Sequence, residues 1–376
     1  MNIYQVNLQS QLGGGEIFTA FLTRAFDRLG IPTTLFVSRD AEFWTGLNLP
    51  ISTRLVPVSE SICDAVPSHR GWVIDHSGLG KAVIDELLQR QHYVTSIAHM
   101  PSQGRRDNAY GNYAYVFGVS GYVIQGLQER GIPVWEEPLY GIADLSRGAS
   151  DEPVVQASRY DWDQRKGRDR LLSWIAPFVG PLLSRQVFDK RPGITLGIVS
   201  RITPIKQFPQ LFNLLSPILA EYPQFNLELF GSGGYASVRD LRRALAPIST
   251  RVRWWGQQTN IRAIYGQIDY LLTGLPEKEA LGLNVIEAQM MGVPVLSVDG
   301  GPFVETVAQN LTGIRYADPR MDGGTDFRCL LERLISQPFG FDLSDTEVQA
   351  HLKKFSASAF DARLTRIVEH MKNMLD

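Results

Sequence analysis

Glu279 and Glu287 lie eight positions apart in LPEKEALGLNVIEAQMMGVPVLSV, the run from Leu275 to Val298. A loop holding Glu279 and Gly282 leads into a helical pattern that carries Glu287 and stops at Gly292, before a Pro-containing strand. The first amides of a helix have no partners within it, so the stretch Ala280, Leu281, Gly282, Leu283, Asn284 can hold a diphosphate or an anionic sugar-phosphate linkage. One carboxylate then stands beside the anion and the other one helix turn away. Carboxylates repel phosphate unless they face hydroxyls, and sugars supply hydroxyls. A bare pair of glutamates at this spacing carries no meaning by itself. Two cations form a second constellation: Arg201 and Lys206 lie between the strand pattern GIVS and the helix pattern FPQLF. A loop after a parallel strand faces the crevice where such sheets bind ligands.

Other residues could join them. Gly13, Gly14 and Gly15 open a helical pattern, and a glycine run there lets a phosphate approach the backbone closely, although a bare glycine cluster is usually a turn. His76 ends WVIDHS and His99 ends YVTSIAHM, which puts both on the crevice-facing edge of a parallel sheet; a lone histidine is more often structural. Gly231 begins a glycine-rich turn after LELF, and Gln257 follows VRWWG.

The elements that must position these residues alternate in type. MNIYQVN, TTLFVSR, WVIDHS, YVTSIAHM and YVFGVS read as strands, while GEIFTAFLTRAFDRLG and KAVIDELLQRQ carry apolar residues at helical spacing. The rhythm restarts after residue 190 with ITLGIVSR, FNLELFG, VRWWG, YLLTG and PVLSVDGG as strands, and FPQLFNLLSPILAEY and NVIEAQMMG as helices. Alternation of this kind predicts parallel strands with helical crossovers, hence an α/β chain with two doubly wound units in tandem. The expected division is an N-terminal unit over 1–150, an interdomain segment over 151–190 and a C-terminal unit over 191–355. A last amphipathic helix over 356–376, with Phe360, Leu364, Ile367, Val368 and Met371 on one face, needs a partner surface that either unit can supply.

Composition narrows the class. A chain of 376 residues, 44% hydrophobic and 20% charged, is globular and long for one core. Its net charge of −2 and pI near 6.3 provide no basic field for a nucleic-acid backbone. Two cysteines, Cys63 and Cys329, have no metal-ligand spacing and suit a reducing cytoplasm. The N-terminus lacks the pattern of a secretory signal. The apolar run from Leu171 to Leu183 contains two prolines and is well short of the roughly 20 residues a spanning helix needs.

On these residues the chain resembles glycosyltransferase family 4, the retaining glycosyltransferases of the GT-B fold, also described as glycosyl transferases group 1. That family's signature has the form P-S-x-x-E-G-F-G-L-x-x-x-E-A-x-x-x-G-x-P-V, which Pro276, Glu279, Gly282, Leu283, Glu287, Ala288, Gly292, Pro294 and Val295 match in register. Ala280 and Leu281 stand where Gly and Phe are usual. Arg201 and Lys206 are similar to the family's G-R-L-x-x-x-K-G segment, with Gln207 in place of the final Gly. Gly13, Gly14 and Glu16 match its G-G-x-E.

The resemblance implies a GT-B fold, two Rossmann-like domains facing a cleft, and transfer of a sugar from a nucleotide donor with retained anomeric configuration. It assigns Glu279 to the donor sugar's hydroxyls, Glu287 to the ribose, and Arg201 and Lys206 to the leaving diphosphate, where an Arg fork and a Lys point charge oppose the growing negative charge. His99 would contact the donor sugar, with Gly13, Gly14 and Gly15 against the diphosphate. Gly231 and Gln257 would border the nucleotide, and Glu16 and His76 would lie on the acceptor side. A UDP-sugar is favoured over a GDP-sugar, and the acceptor is a glycan, a lipid-linked molecule or a small molecule. No metal or other cofactor is implied: Asp161, Trp162 and Asp163 spell a metal-chelating Asp-x-Asp, but in the interdomain segment, where a solvated turn is the simpler reading. A cytoplasmic enzyme is expected, with Arg165, Lys166, Arg168 and Arg170 as a candidate peripheral contact for an anionic inner-membrane face. The alternatives are a sugar-nucleotide epimerase or hydrolase, and a catalytically silent relative that binds a sugar nucleotide or a protein.

Overall fold

The computed structural model describes residues 1–59, 61–101, 110–143, 145, 153–161 and 186–375. It divides into two compact units, the first of Met1–Ile142 with Lys353–Asp376, the second of Ala143–Leu352.

The first unit is built on six parallel strands: β1 (Ile3–Asn7), β2 (Thr33–Ser38), β3 (Arg54–Val58), β4 (Trp72–Asp75), β5 (Tyr93–Ala98) and β6 (Val116–Gly118), in the order β3-β2-β1-β4-β5-β6. The chain starts at the sheet centre, winds outward to β3, then returns to β4 beside β1, which is the doubly wound Rossmann order. β1 and β4 are buried throughout, as strands covered on both faces must be. The sequence reading missed β3. Its run RLVPV carries Pro57, and a proline fits an edge strand, which is where β3 lies.

Polar side chains within β1 are matched from the helix Gly14–Arg28 that crosses above it. Gln5 Nε2 donates to Thr23 Oγ1 at 2.8 Å and Asn7 Nδ2 to Thr19 Oγ1 at 2.9 Å. The helix Ala357–Leu375 belongs to this unit too. Its buried stripe, Phe360, Leu364, Ile367, Val368 and Met371, faces inward, Phe360 meets Phe18 edge-on at 5.8 Å, and Asp361 takes a two-pronged bond from Arg28 at 2.6 and 2.7 Å.

The second unit repeats the plan with β7 (Ile194–Val199), β8 (Phe225–Phe230), β9 (Val252–Gly256), β10 (Tyr270–Leu272), β11 (Val295–Val298) and β12 (Gly313–Tyr316), in the order β12-β11-β10-β7-β8-β9. Sequence periodicity missed β12, a four-residue edge strand too short to show it. Core side chains from β7, β8, β10 and β11 pack against the helices Phe208–Glu221 and Thr325–Ser336. On the other face Val285 and Ala288 of the helix Leu283–Met290 join Trp255, Tyr265 and Phe303.

The segment expected to stand between domains, 151–190, is part of the second unit at its described ends. Val155 and Val187 form an antiparallel bridge, the Gln156 and Phe188 amides donate across it at 2.8 Å each, and Phe188 packs 5.0 Å from the Trp255 ring. Asp161 is exposed, while Trp162, Asp163, the basic cluster 165–170 and the apolar run 171–183 lie outside the described residues. Cys63 is buried and Cys329 exposed, both unbridged. Among the described residues no helix is long and apolar enough to cross a membrane.

Candidate active site

All strands of the second sheet run parallel, so their carboxyl ends share one edge, and the strand order reverses between β7 and β10. Open α/β sheets bind ligands at that point. Arg201 and Lys206 follow β7 there, and the loop 273–282 follows β10. Lys206, at the end of the turn Pro204–Lys206, forms an ion pair with the Glu279 carboxylate; the two side chains keep 29% and 17% of their surface exposed. A cation and a carboxylate 73 positions apart in sequence are thus held together in partial contact with solvent. Arg201 is exposed on the same edge.

Gly282 caps the helix Leu283–Met290 in the left-handed region at φ 83°, where a Cβ would also come within 3.1 Å of Val285. That conformation turns the chain sharply into the helix, so that the amides after Glu279 begin it. Ala280 and Leu281 are buried, and Ala280 is not among the residues with positive φ. Alanine therefore stands at this glycine position of the signature without backbone strain. Gln207 does adopt the left-handed conformation, φ 54° and ψ 22°, so the chain turns there as a glycine would turn it.

Asn284 serves the scaffold: its Nδ2 donates to the Val199 carbonyl at 3.0 Å, tying the helix to the end of β7. Glu287 Oε2 accepts from the Tyr265 hydroxyl at 3.0 Å, and the same hydroxyl lies 3.0 Å from the Asn284 carbonyl. Burial, then the Glu287 charge, pushes the Tyr265 phenol well above its ordinary value, so it stays a donor to the carboxylate. Sequence reasoning did not find Tyr265, because nothing in the run IRAIY signals a partner 22 positions away. Gly231 directly follows β8, where a Cβ would lie 1.9 Å from the Ser200 carbonyl, so only glycine lets the end of β8 and the Arg201 loop pass this closely. Gln257 is exposed just past β9.

The first unit brings its own candidates together. Gly13 caps the helix Gly14–Arg28 in an extended conformation, and a Cβ on Gly15 would lie 3.5 Å from the His99 ring. The partly buried His99 stacks on His76 with ring centroids 5.3 Å apart and shares a hydrogen bond of 3.1 Å with it; Phe18 meets His99 edge-on at 5.2 Å. Burial lowers the His99 imidazole to about 4 and takes His76 well below its ordinary value, so both are neutral near pH 7. His76, expected on the acceptor side, is buried in the first unit. It is 7% exposed and bonded through both nitrogens, to His99 and, at 3.2 Å, to Gln5. Glu16 is likewise buried, at 6% exposure. Beneath this group Asp75 accepts from the Ser77, Gly78 and Leu79 amides at 2.7 to 2.9 Å and from the Tyr113 hydroxyl at 2.5 Å, which fixes the loop after β4.

Solved structures share this architecture. Anabaena HepE in complex with UDP superposes with a TM-score of 0.70 at 15% identity, over 98% of this chain and 100% of that one. Sucrose-phosphate synthase from Thermosynechococcus elongatus gives 0.69 at 14% identity over 99% of both chains. The fold is GT-B. Residues 184–323, which hold Arg201, Lys206, Glu279 and Glu287, match the family model Glycosyl transferases group 1. Among curated proteins, a GDP-mannose-dependent monoacylated α-(1-6)-phosphatidylinositol monomannoside mannosyltransferase of Corynebacterium glutamicum is 28% identical over 179 residues, 45% of this chain and 45% of that protein. An uncharacterized glycosyltransferase of Haemophilus influenzae is 23% identical over 226 residues, 59% of this chain and 60% of that one. The chain thus spans about half the length of the curated relatives it matches.

Proposed function

We propose that this GT-B chain is a retaining glycosyltransferase of family 4 that moves a hexose from a nucleotide-sugar donor to an acceptor hydroxyl, without a metal. The observation that carries the reading is the Lys206–Glu279 pair at the switch point of the second sheet, one loop before the Gly282-capped helix that bears Glu287. An acid and base pair would be set apart in different environments; this carboxylate is instead matched to a cation through one oxygen, while its other oxygen accepts the Ala280 amide at 3.3 Å and keeps a lone pair for a sugar hydroxyl. Lys206 and Arg201 then oppose the charge that grows on the diphosphate as the glycosidic bond breaks. The C1–O bond ionises towards an oxocarbenium-like species, the acceptor oxygen bonds to C1 on the same face, and its proton passes to an oxygen of the departing diphosphate. Glu287, held by Tyr265, suits the ribose hydroxyls. In the first unit the amides of Gly13, Gly14 and Gly15 suit phosphate, and His99, uncharged near pH 7, suits a sugar hydroxyl.

The relatives support a nucleotide sugar without choosing its base, since HepE is seen with UDP and UDP-glucose and the corynebacterial relative is GDP-mannose-dependent. The acceptor class, glycan, lipid-linked or small molecule, is part of the proposal, as is a cytoplasmic site of action with peripheral contact to an anionic membrane. The two departures that would suit a silent relative are both accommodated by the backbone, at Ala280 without positive φ and at Gln207 in the glycine conformation. Thermal shift with UDP-, GDP- and ADP-sugars identifies the donor. With that donor, Lys206→Ala and Glu279→Ala should each remove most transfer with far-UV circular dichroism unchanged, and wild-type transfer should persist in EDTA. Near-wild-type turnover in either variant would overturn the site assignment. Loss in EDTA with recovery in Mn would overturn metal independence.

A further inference from the structure

A chain of hydrogen bonds with one preferred direction runs from the Gly14–Arg28 helix to His99. It starts at the Thr19 carbonyl, which can only accept, so the Thr23 hydroxyl donates to it at 2.8 Å. With its proton committed, Thr23 Oγ1 must accept, and what it accepts at 2.8 Å is the Gln5 Nε2–H. This sets the amide: Gln5 Oε1 points the other way and lies 3.2 Å from His76 Nε2. An amide oxygen cannot donate, so His76 carries its proton on Nε2. A neutral imidazole has one N–H, so His76 Nδ1 is the acceptor, and the nitrogen 3.1 Å from it, His99 Nε2, must donate. His99 then has its lone pair on Nδ1. Reversing every link would forfeit the Thr23–Thr19 bond at a residue with no solvent access, as Thr23 and Gln5 are both fully buried.

We infer that Gln5, Thr23 and His76 are positioning residues that lock His99 in its Nε2–H tautomer, so that it meets a substrate hydroxyl through Nδ1 as an acceptor. The part concerning substrate rests on the proposed glycosyltransferase reading; the tautomer does not. A catalytic or binding histidine is otherwise ambiguous, since its ring can offer either a donor or an acceptor, and the buried relay removes the choice. It also explains polar residues at the middle of a central strand, where Gln5 would otherwise cost the sheet an apolar contact.

The test reads tautomers directly, by long-range 1H–15N correlation on the full chain with 15N-labelled histidine near pH 7, assigned against a His99→Gln variant. Wild type should show both His76 and His99 as neutral Nε2–H forms. Gln5→Glu places a carboxylate against His76 Nε2 and favours the imidazolium; its Nδ1–H then donates towards His99, which must move its own proton to Nδ1. Thr23→Val should leave His99 a mixture of tautomers and Thr23→Ser should restore the single form, which separates a relay from simple packing. With the donor in hand, kcat should fall on the order of tenfold in Thr23→Val, the worth of one hydrogen bond, and recover in Thr23→Ser. A wild-type His99 protonated on Nδ1, or one whose tautomer is unchanged in both Gln5→Glu and Thr23→Val, would overturn the inference. Wild type with the expected tautomers but no transfer with any nucleotide sugar would instead sink the glycosyltransferase reading and leave the relay standing.

Discussion

Replacing Gln207 by glycine should make the second unit more stable. Gln207 holds φ 54° and ψ 22° between Lys206 and the helix Phe208–Glu221, and a side chain in that region costs about 1–2 kcal/mol. Its Oε1 is buried with no hydrogen-bond partner among the described residues, which costs about 1 kcal/mol more. Against this, glycine adds about 0.5–1 kcal/mol of chain entropy to the unfolded state. The exposed bond from Gln207 Nε2 to Gln210 at 2.9 Å, worth about 0.5 kcal/mol, is also lost. The balance is a gain of about 1 kcal/mol. For a unit of 210 residues, counted from 143 to 352, this raises Tm by about 2–4 °C in differential scanning calorimetry. Gln207→Ala is the decisive comparison, because it removes the same orphaned oxygen but keeps the strained backbone. The glycine variant should therefore exceed it by about 0.5–1 kcal/mol. Transfer should be unchanged, since glycine leaves the turn that carries Lys206 in place. A glycine variant that melts at or below wild type would refute the reasoning, as would an alanine variant that gains as much as glycine.

Glu228, 1% exposed, accepts from Arg191 at 2.8 Å, from Arg253 at 2.9 Å and from the Trp255 indole at 2.7 Å, so Glu228→Ala takes that partner from two half-buried cations and leaves a buried N–H unpaired. Equilibrium urea unfolding should show a loss of about 2–3 kcal/mol, less than for a stranded buried charge because both cations reach solvent and keep bonds to the Arg251 carbonyl and to Asp189. Tyr265→Phe removes the hydroxyl bonded to Glu287 and should raise KM for the donor about 3- to 10-fold with a smaller change in kcat, measured in steady-state transfer assays. Stability should depend on pH through the buried histidines. His99 titrates near 4 when folded and at its ordinary 6.5 when unfolded, so between those values the unfolded chain binds the extra proton. Stability is then full above about pH 6.5 and falls as the pH drops towards 4, a decline that should flatten in His99→Gln when urea midpoints are compared across this range.

The local pattern of the sequence determined the parallel α/β plan, because a strand buried on both faces must be a continuous apolar run and a crossover helix must repeat its apolar face every three to four residues. It missed β3 and β12, edge strands that need no such run and whose Pro57 or four-residue length hides them. The signature also placed Glu279, Gly282 and Glu287 on one loop and helix, because all three belong to a single stretch of chain. Long-range partnerships were not legible there. That Lys206 meets Glu279, that Tyr265 holds Glu287 and that His76 is buried against His99 all join segments 22 to 73 positions apart. Such contacts are decided by strand order and register: β7 beside β10 brings the cation loop to the acidic loop, and β1, β4 and β5 as neighbours bring Gln5, His76 and His99 into line. Spacing along a chain encodes what one helix or strand can do, whereas the direction of a buried hydrogen-bond chain exists only once three strands and a helix have packed.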